Sequence, residues 1–299
     1  MSVIEVRDLR KRYGDVVALD GIEFDVEAGE VFALLGPNGA GKTTTVEILE
    51  GYRQPDSGSA RVLGQDPLGA PAEWRNRIGI VLQQSGIEKE LTVREALVRL
   101  SRLYTDPADV PTTIARVGLT EKADARIKNL SGGQRRRVDM AAAIIGRPEV
   151  IFLDEPTTGF DPAARREAWR LVSELAADGA TVILTTHYLD EAQQLADRVA
   201  VIASGRIVAA GDPSTLGGRE QRVARIRFRT PVVPIDPAVA DGVTSQPGGW
   251  TEIANATPVE TLHRLTGWAL EHSVPLDGLE VVRPTLEDMY LELVGDGTQ

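Results

Sequence analysis

The octapeptide Gly36-Pro37-Asn38-Gly39-Ala40-Gly41-Lys42-Thr43 puts three glycines, an amine and a hydroxyl within reach of one point. It fits G-x-x-x-x-G-K-[ST], a pattern whose glycines let backbone N–H groups turn inward and admit phosphate oxygens closely. Thr44 follows and opens a helix-like run whose N-terminal partial charge would add to the anion site. In such a loop Lys42 reaches the β- and γ-phosphates and the Thr43 hydroxyl holds Mg²⁺. A second chemical element is the acid pair Asp154-Glu155, which ends the apolar run Val150 to Leu153. At the carboxyl end of a buried strand, such acids open onto a ligand crevice. Alternation is expected to send them to different sides, Asp154 to a metal ion and Glu155 to a water that it would activate as general base. A third is Leu130-Ser131-Gly132-Gly133-Gln134, two glycines and a serine before a helix from about Arg135. Ser131 there is an N-cap, and the turn is also a second anion-seeking helix start. One nucleotide does not easily use both starts within a compact monomer. Two copies facing head to tail would each lend the second turn to the other's nucleotide, which makes a symmetric dimer.

The elements that position these residues are those of an α/β domain. Val31–Leu35, Val150–Leu153, Thr181–Thr185 and Val199–Ile202 are apolar, strand-like runs, with helix-like stretches such as Ala163–Ala177 between them. That alternation predicts a mostly parallel sheet covered on both faces. Short alternating pieces between Val3 and Val26 predict an antiparallel patch, and Gly205 marks a hairpin. Between about residues 86 and 129 the pattern becomes helical, at Val93–Tyr104 and Pro111–Val117, which predicts a helical insertion. After about residue 218 a small α+β domain is expected. It would hold a strand over Val223–Phe228 with Arg225, Arg227 and Arg229 on one face. A helix over Pro258–His272 follows, with Val259, Leu262, Leu265 and Ala269 as its apolar stripe, then a strand at Leu279–Val282 and a closing helix over Thr285–Val294.

The order and separation of the three motifs closely resemble those of the ATP-binding subunit of ABC transporters, over about residues 3 to 217. The resemblance makes Gly36–Thr43 the Walker A loop, Leu130–Gln134 the signature and Val150–Glu155 the Walker B strand. It also implies further roles. Tyr13 is similar to the aromatic residue that stacks on adenine. Gln83 is similar to the Q-loop glutamine that touches Mg²⁺ and senses the permease, spacing favouring it over Gln84. Thr158–Asp161 is similar to the D-loop, with Phe160 where leucine is commoner and Asp161 in place. His187 is similar to the switch histidine near the γ-phosphate. The fold implied is a P-loop NTPase core with an antiparallel β subdomain and a helical insertion. The cofactors implied are ATP and Mg²⁺, and the partners are a separate permease and a second copy of the chain. The tail Pro284–Val294 and the small domain before it resemble daunorubicin-type and multidrug export ATPases, so export of a drug or other hydrophobic compound is expected. The alternative is a non-transport or regulatory ATPase of the same family.

Composition narrows the field. The chain has 299 residues and a formal net charge of −11, and only five of its 33 basic residues are lysine. An acidic chain argues against a broad phosphate-backbone footprint, so nucleic acid is not expected as a partner. Arg135, Arg136 and Arg137 accordingly read as a solvated helix face, and His263 and His272 as solvated or packing residues. Tyr13 and His187 each also have a plain packing alternative. With no cysteine there is no disulfide scaffold, thiolate zinc site or thiol nucleophile. No apolar run approaches the roughly 20 residues of a membrane span, and the N-terminus has no signal-like core. The expected place is therefore the cytoplasmic face of the membrane, reached through the permease.

Overall fold

The computed structural model describes residues 2–81, 86–214, 216, 224–231, 235, 239, 242–246, 248–255 and 257–282. The chain divides into two compact units, Met1–Pro213 and Ser214–Gln299.

The first unit begins with two strands, β1 (Ser2–Tyr13) and β2 (Val16–Glu27), then β3 (Val31–Leu35), α1 (Lys42–Leu49), β4 (Ser57–Val62), α2 (Ala72–Arg75) and β5 (Ile78–Val81). Helices α3 (Val93–Ser101), α4 (Val110–Arg116) and α5 (Gly132–Ile144) follow. Then come β6 (Val150–Asp154), α6 (Pro162–Ala177), β7 (Thr181–Thr186), α7 (Leu189–Leu195), β8 (Arg198–Ala203) and β9 (Arg206–Gly211). A six-stranded sheet runs β5-β6-β7-β3-β8-β9, parallel except for β9. Strands β3, β6 and β7 are buried along their whole length, as central parallel strands covered on both faces are.

The antiparallel patch is a separate sheet, β2-β1-β4. Its alternating residues Ile4, Val6, Ile22, Phe24 and Val26 face one core shared with Phe32, Leu34 and Phe152, and the rings of Phe24 and Phe32 stack at 5.0 Å. Ser204 and Gly205 both take left-handed φ (48° and 76°), which joins β8 and β9 by the tight turn that fits strand twist. That turn reaches the glycine-rich loop: Gly205 N–H donates to Ala40 O at 3.1 Å.

The helical segment starts on a capping box, in which Thr92 Oγ1 accepts from Glu95 N–H and Glu95 Oε2 accepts from Thr92 N–H. Asp109 caps α4, with Pro111 in its first turn. Both helices end a residue or more before the sequence pattern does.

In the second unit, β10 (Ala224–Arg229), β11 (Val243–Gln246), β12 (Trp250–Asn255) and β13 (Glu280–Val282) form an antiparallel sheet, β11-β12-β10-β13. Helix α8 (Pro258–Glu271) covers the face that carries Ile226, Phe228 and Ile253. The arginines alternate to the other face, where Arg227 and Arg229 lie over the Trp250 ring at 4.7 and 4.3 Å. The α8 stripe differs from expectation: Thr261, Leu265, Trp268 and Ala269 are buried, whereas Val259 is 78% exposed. At about 100° per residue, Val259 lies about 120° from a face centred on Leu265. His272 packs on Trp268, with ring centroids 5.2 Å apart. The expected closing helix over Thr285–Val294 lies outside the described residues.

Candidate nucleotide site

The loop between β3 and α1 is shaped by its own fold. A Cβ at Gly36 would lie 2.3 Å from Ile202 O, and one at Gly41 (φ 110°) would lie 2.5 Å from Ala18 O. Neither position admits another residue without moving backbone. Lys42 is only 4% exposed. Its Nζ donates to Gly36 O (2.8 Å) and Pro37 O (3.1 Å) and lies 3.7 Å from Glu155 Oε1. Burial holds the Lys42 pKa below the ordinary lysine range, against the pull of the Glu155 and Asp154 charges. Beside the loop is a cleft of about 350 Å³ whose walls include Asn38, Gly39, Gly41, Lys42, Thr43, Thr44 and Glu155, with Tyr13, Val16 and Ala18 at the apolar end. Tyr13 is half exposed there, with the Arg53 guanidinium 5.1 Å from its ring centroid.

Strand β6 delivers Asp154, 7% exposed, beside this cleft, against Thr43 of its wall. Thr43 Oγ1 lies 3.4 and 3.3 Å from the two Asp154 oxygens, and Thr185 Oγ1 donates to Asp154 Oδ1. The two acids do not separate by strand alternation. The strand ends at Asp154, and Glu155 takes a left-handed φ of 46°. Its N–H donates to Thr185 Oγ1 at 3.0 Å. The turn swings its carboxylate to His187, with Oε1 3.1 Å from Nδ1, while Thr158 Oγ1 donates to Oε2 at 3.2 Å. The motifs bring forward Lys42, Thr43, Asp154 and Glu155, the family resemblance adds His187, and short contacts link them here.

The signature residues stand elsewhere. Ser131 is exposed and closes a capping box: its Oγ accepts from Gln134 N–H (3.2 Å) and Gln134 Oε1 accepts from Ser131 N–H (2.9 Å). Gly132 has open space at its Cβ position and Gly133 meets only Ala164 Cβ at 3.9 Å. Asp161 caps α6, Oδ1 accepting from Ala163 and Ala164 N–H at 2.9 Å each. Gln83 lies outside the described residues.

The arginine run is not a solvated face, because all three guanidinium groups find acceptors and are half buried. Arg135 Nη1 donates to Leu130 O (2.6 Å), Arg136 to carbonyls of the β6 exit, and Arg137 pairs with Glu167 (2.8 Å). Sequence reading also passed over Thr185 and Glu191. Thr185 gives little sequence signal, because the run that carries it, Thr181–Thr186, also has threonines at both ends. Glu191, 1% exposed, accepts from Thr157 Oγ1 (2.7 Å) and Trp169 Nε1 (3.0 Å). An acid in the first turn of a helix gives no sequence sign of burial.

A family model described as ABC transporter matches residues 19–158, and one described as the C-terminal domain of ABC transporter domain-containing proteins matches residues 224–285. Over 311 residues the chain is 38% identical to the Nod factor export ATP-binding protein I of Burkholderia orbicola, covering 99% of this chain and 98% of that one. The chain belongs to the ABC transporter family, as an ATP-binding subunit. It is likewise 39% identical to the daunorubicin resistance ATP-binding protein DrrA2 of Streptomyces coeruleorubidus, covering 99% and 96%. Among solved structures, cbiO1 from Clostridium perfringens, part of a cbiONQ ABC transporter complex, superposes with a TM-score of 0.63 at 29% identity, covering 71% of this chain and 89% of that one. The ADP conformation of the ABC cassette MJ1267 gives 0.63 at 27%, covering 71% and 91%. Those structures cover only part of this chain, whereas the curated relatives run its whole length. The cassette binds nucleotide and is an ATPase.

Proposed function

We propose that the chain hydrolyses Mg²⁺-bound ATP at the Lys42–Glu155 cleft and that two copies close over two nucleotides to drive a separate permease. The carrying observation is the convergence of a buried amine, a hydroxyl–carboxylate pair and a carboxylate–imidazole pair on one cleft. Adenine lies at the apolar end against Tyr13. Loop N–H groups and Lys42 take the β- and γ-phosphates. Thr43 and Asp154 are hard oxygen donors, the set that Mg²⁺ takes when phosphates and water complete its shell, and Gln83 is the third candidate ligand. Bound Mg²⁺ would neutralise phosphate charge. Glu155 accepts the proton of the attacking water, and His187 holds its carboxylate in place and faces the γ-phosphate.

Gly132 and Gly133 support the two-copy reading, because nothing among the described residues needs glycine there. A partner's triphosphate reaching those N–H groups, with Ser131, Gln134 and Asp161 beside it, supplies the need. No described helix is long and apolar enough to cross a membrane. In this reading the permease is a distinct chain, met at the helical segment and the Q-loop, and the protein works peripherally on the cytoplasmic face. The names of the relatives support export, with an amphiphilic or hydrophobic cargo.

Glu155→Gln tests this reading. It keeps size and hydrogen bonding but removes the base, so turnover should fall about a hundredfold or more. ATP should remain bound and the dimer should persist on size-exclusion chromatography. Turnover at the original rate would remove Glu155 from the base role.

A further inference from the structure

Arg136 stands five residues beyond Ser131 on the same helix, so the two are about 8 Å apart along its axis. Its Nη2 donates to Asp154 O (2.6 Å) and Glu155 O (3.4 Å), and its Nε donates to Pro156 O (3.4 Å). Three consecutive carbonyls at the β6 exit thus rest on one planar group, which a lysine's single amine could not span. Asp139, from the same helix, and the Asp154 and Glu155 charges face the guanidinium. The backbone it grips is the stretch in which Glu155 holds its left-handed φ of 46°. The placement of the Glu155 carboxylate relative to His187 follows from that backbone. The other end of the connection is equally fixed, because Ser131 and Gln134 are tied by the capping box to the first turn of α5.

We propose that Arg136 is a positioning residue that makes the placement of Glu155 in a chain's own site depend on what docks against Ser131–Gln134 of that chain. It thereby couples the two nucleotide sites of a dimer. The proposal rests on the reading that a partner's nucleotide meets the signature turn. A shift of α5 when that nucleotide arrives is carried by a rigid helix to the guanidinium, and from there to three carbonyls and the base. Arg136 is not in the wall of the cleft beside the glycine-rich loop, so affinity for the first ATP should not depend on it.

The test uses the full-length chain with Arg136→Ala and Arg136→Lys. The readouts are binding of a fluorescent N-methylanthraniloyl ATP, ATPase rate against ATP concentration, and thermal melting. Wild-type hydrolysis should be cooperative in ATP, with a Hill coefficient approaching about 2, and its specific rate should rise with protein concentration. In Arg136→Ala, analogue affinity should stay within about twofold, kcat should fall about tenfold or more, and the Hill coefficient should drop to about 1. Arg136→Lys, which restores charge and one donor, should recover part of kcat. If Arg136→Ala does not fold, Arg136→Lys carries the decision, with reduced kcat and cooperativity at unchanged affinity. Wild-type kcat and cooperativity in the variants would overturn the proposal, and so would affinity and melting temperature falling in step with rate, which mark a plain brace. A non-cooperative wild type whose rate ignores protein concentration would instead bring down the two-copy reading itself.

Discussion

Two glycine-bearing helix starts, at α1 and at α5, look alike in sequence and are unlike in structure. At the first, glycine is dictated from inside: Gly36 and Gly41 are pressed against the carbonyls of Ile202 and Ala18. At the second, Gly132 faces open space and Gly133 meets only an ordinary contact with Ala164, while Ser131 and Gln134 complete their own cap. One start is a finished half-site, and the other is locally satisfied but has glycines that its own chain does not explain. A residue type that the fold does not require points to a requirement outside the fold.

The sharpest way to break this contrast is a paired substitution. Gly36→Ala should cost about 3 kcal/mol or more, because backbone must move, with nucleotide binding lost along with the fold. Gly133→Ala should leave melting unchanged or raised, since alanine favours a helix over glycine by about 0.5–1 kcal/mol, yet turnover should fall about a hundredfold. Equal melting losses in both variants would erase the distinction.

Ser131→Asp refines it. Aspartate caps a helix as well as serine does, so melting and first-ATP affinity should hold. A carboxylate facing a triphosphate should abolish ATP-dependent dimerisation on light scattering. Thr185→Val is a smaller change, confined to the finished site. It removes the donor to Asp154 and the acceptor for Glu155 N–H, at about 1–3 kcal/mol in chemical denaturation, with a raised Mg²⁺ requirement for hydrolysis.

A pH-dependent effect, small near pH 5, is expected at the far end of α1. Burial, with the charges of Asp154 and Glu47, pushes the Glu50 carboxyl up to about 8 from 4.5. The unfolded chain releases this proton near 4.5 and the folded chain keeps it to about 8, so stability from this group falls as pH rises through that window. Glu50→Gln should therefore raise the melting temperature relative to wild type, with the gain growing from pH 5 to pH 8. A constant difference across that range would show that Glu50 does not titrate as described.

What was legible in the sequence follows from what a linear pattern encodes. The apolar runs gave β3, β6, β7 and β8, and the motifs gave Lys42, Thr43, Asp154 and Glu155, because each lies on or beside an element of regular period; His187 came only through the family resemblance. Three features were not legible. Glu155 leaves the strand by a left-handed turn, which no alternation rule anticipates. Arg136 and Glu191 are charged residues buried by partners that are distant in sequence, Asp154 to Pro156 for one and Thr157 and Trp169 for the other. Charge alone reads as solvated until the tertiary partner is known. The stripe of α8 differs for a simpler reason: Val259 is apolar, but its angle around the helix turns it away from the buried face.

The folded-back posture of Lys42 bears on how fast the machine can load. Two loop carbonyls already hold its ammonium, and Gly36 and Gly41 at the two ends of the loop are pressed against neighbouring backbone. Arriving phosphate therefore swaps one set of donors and acceptors for another instead of organising a slack segment. Little chain entropy is surrendered on capture, so recharging with fuel should be rapid, leaving the slow, rate-setting event to the meeting of two loaded subunits.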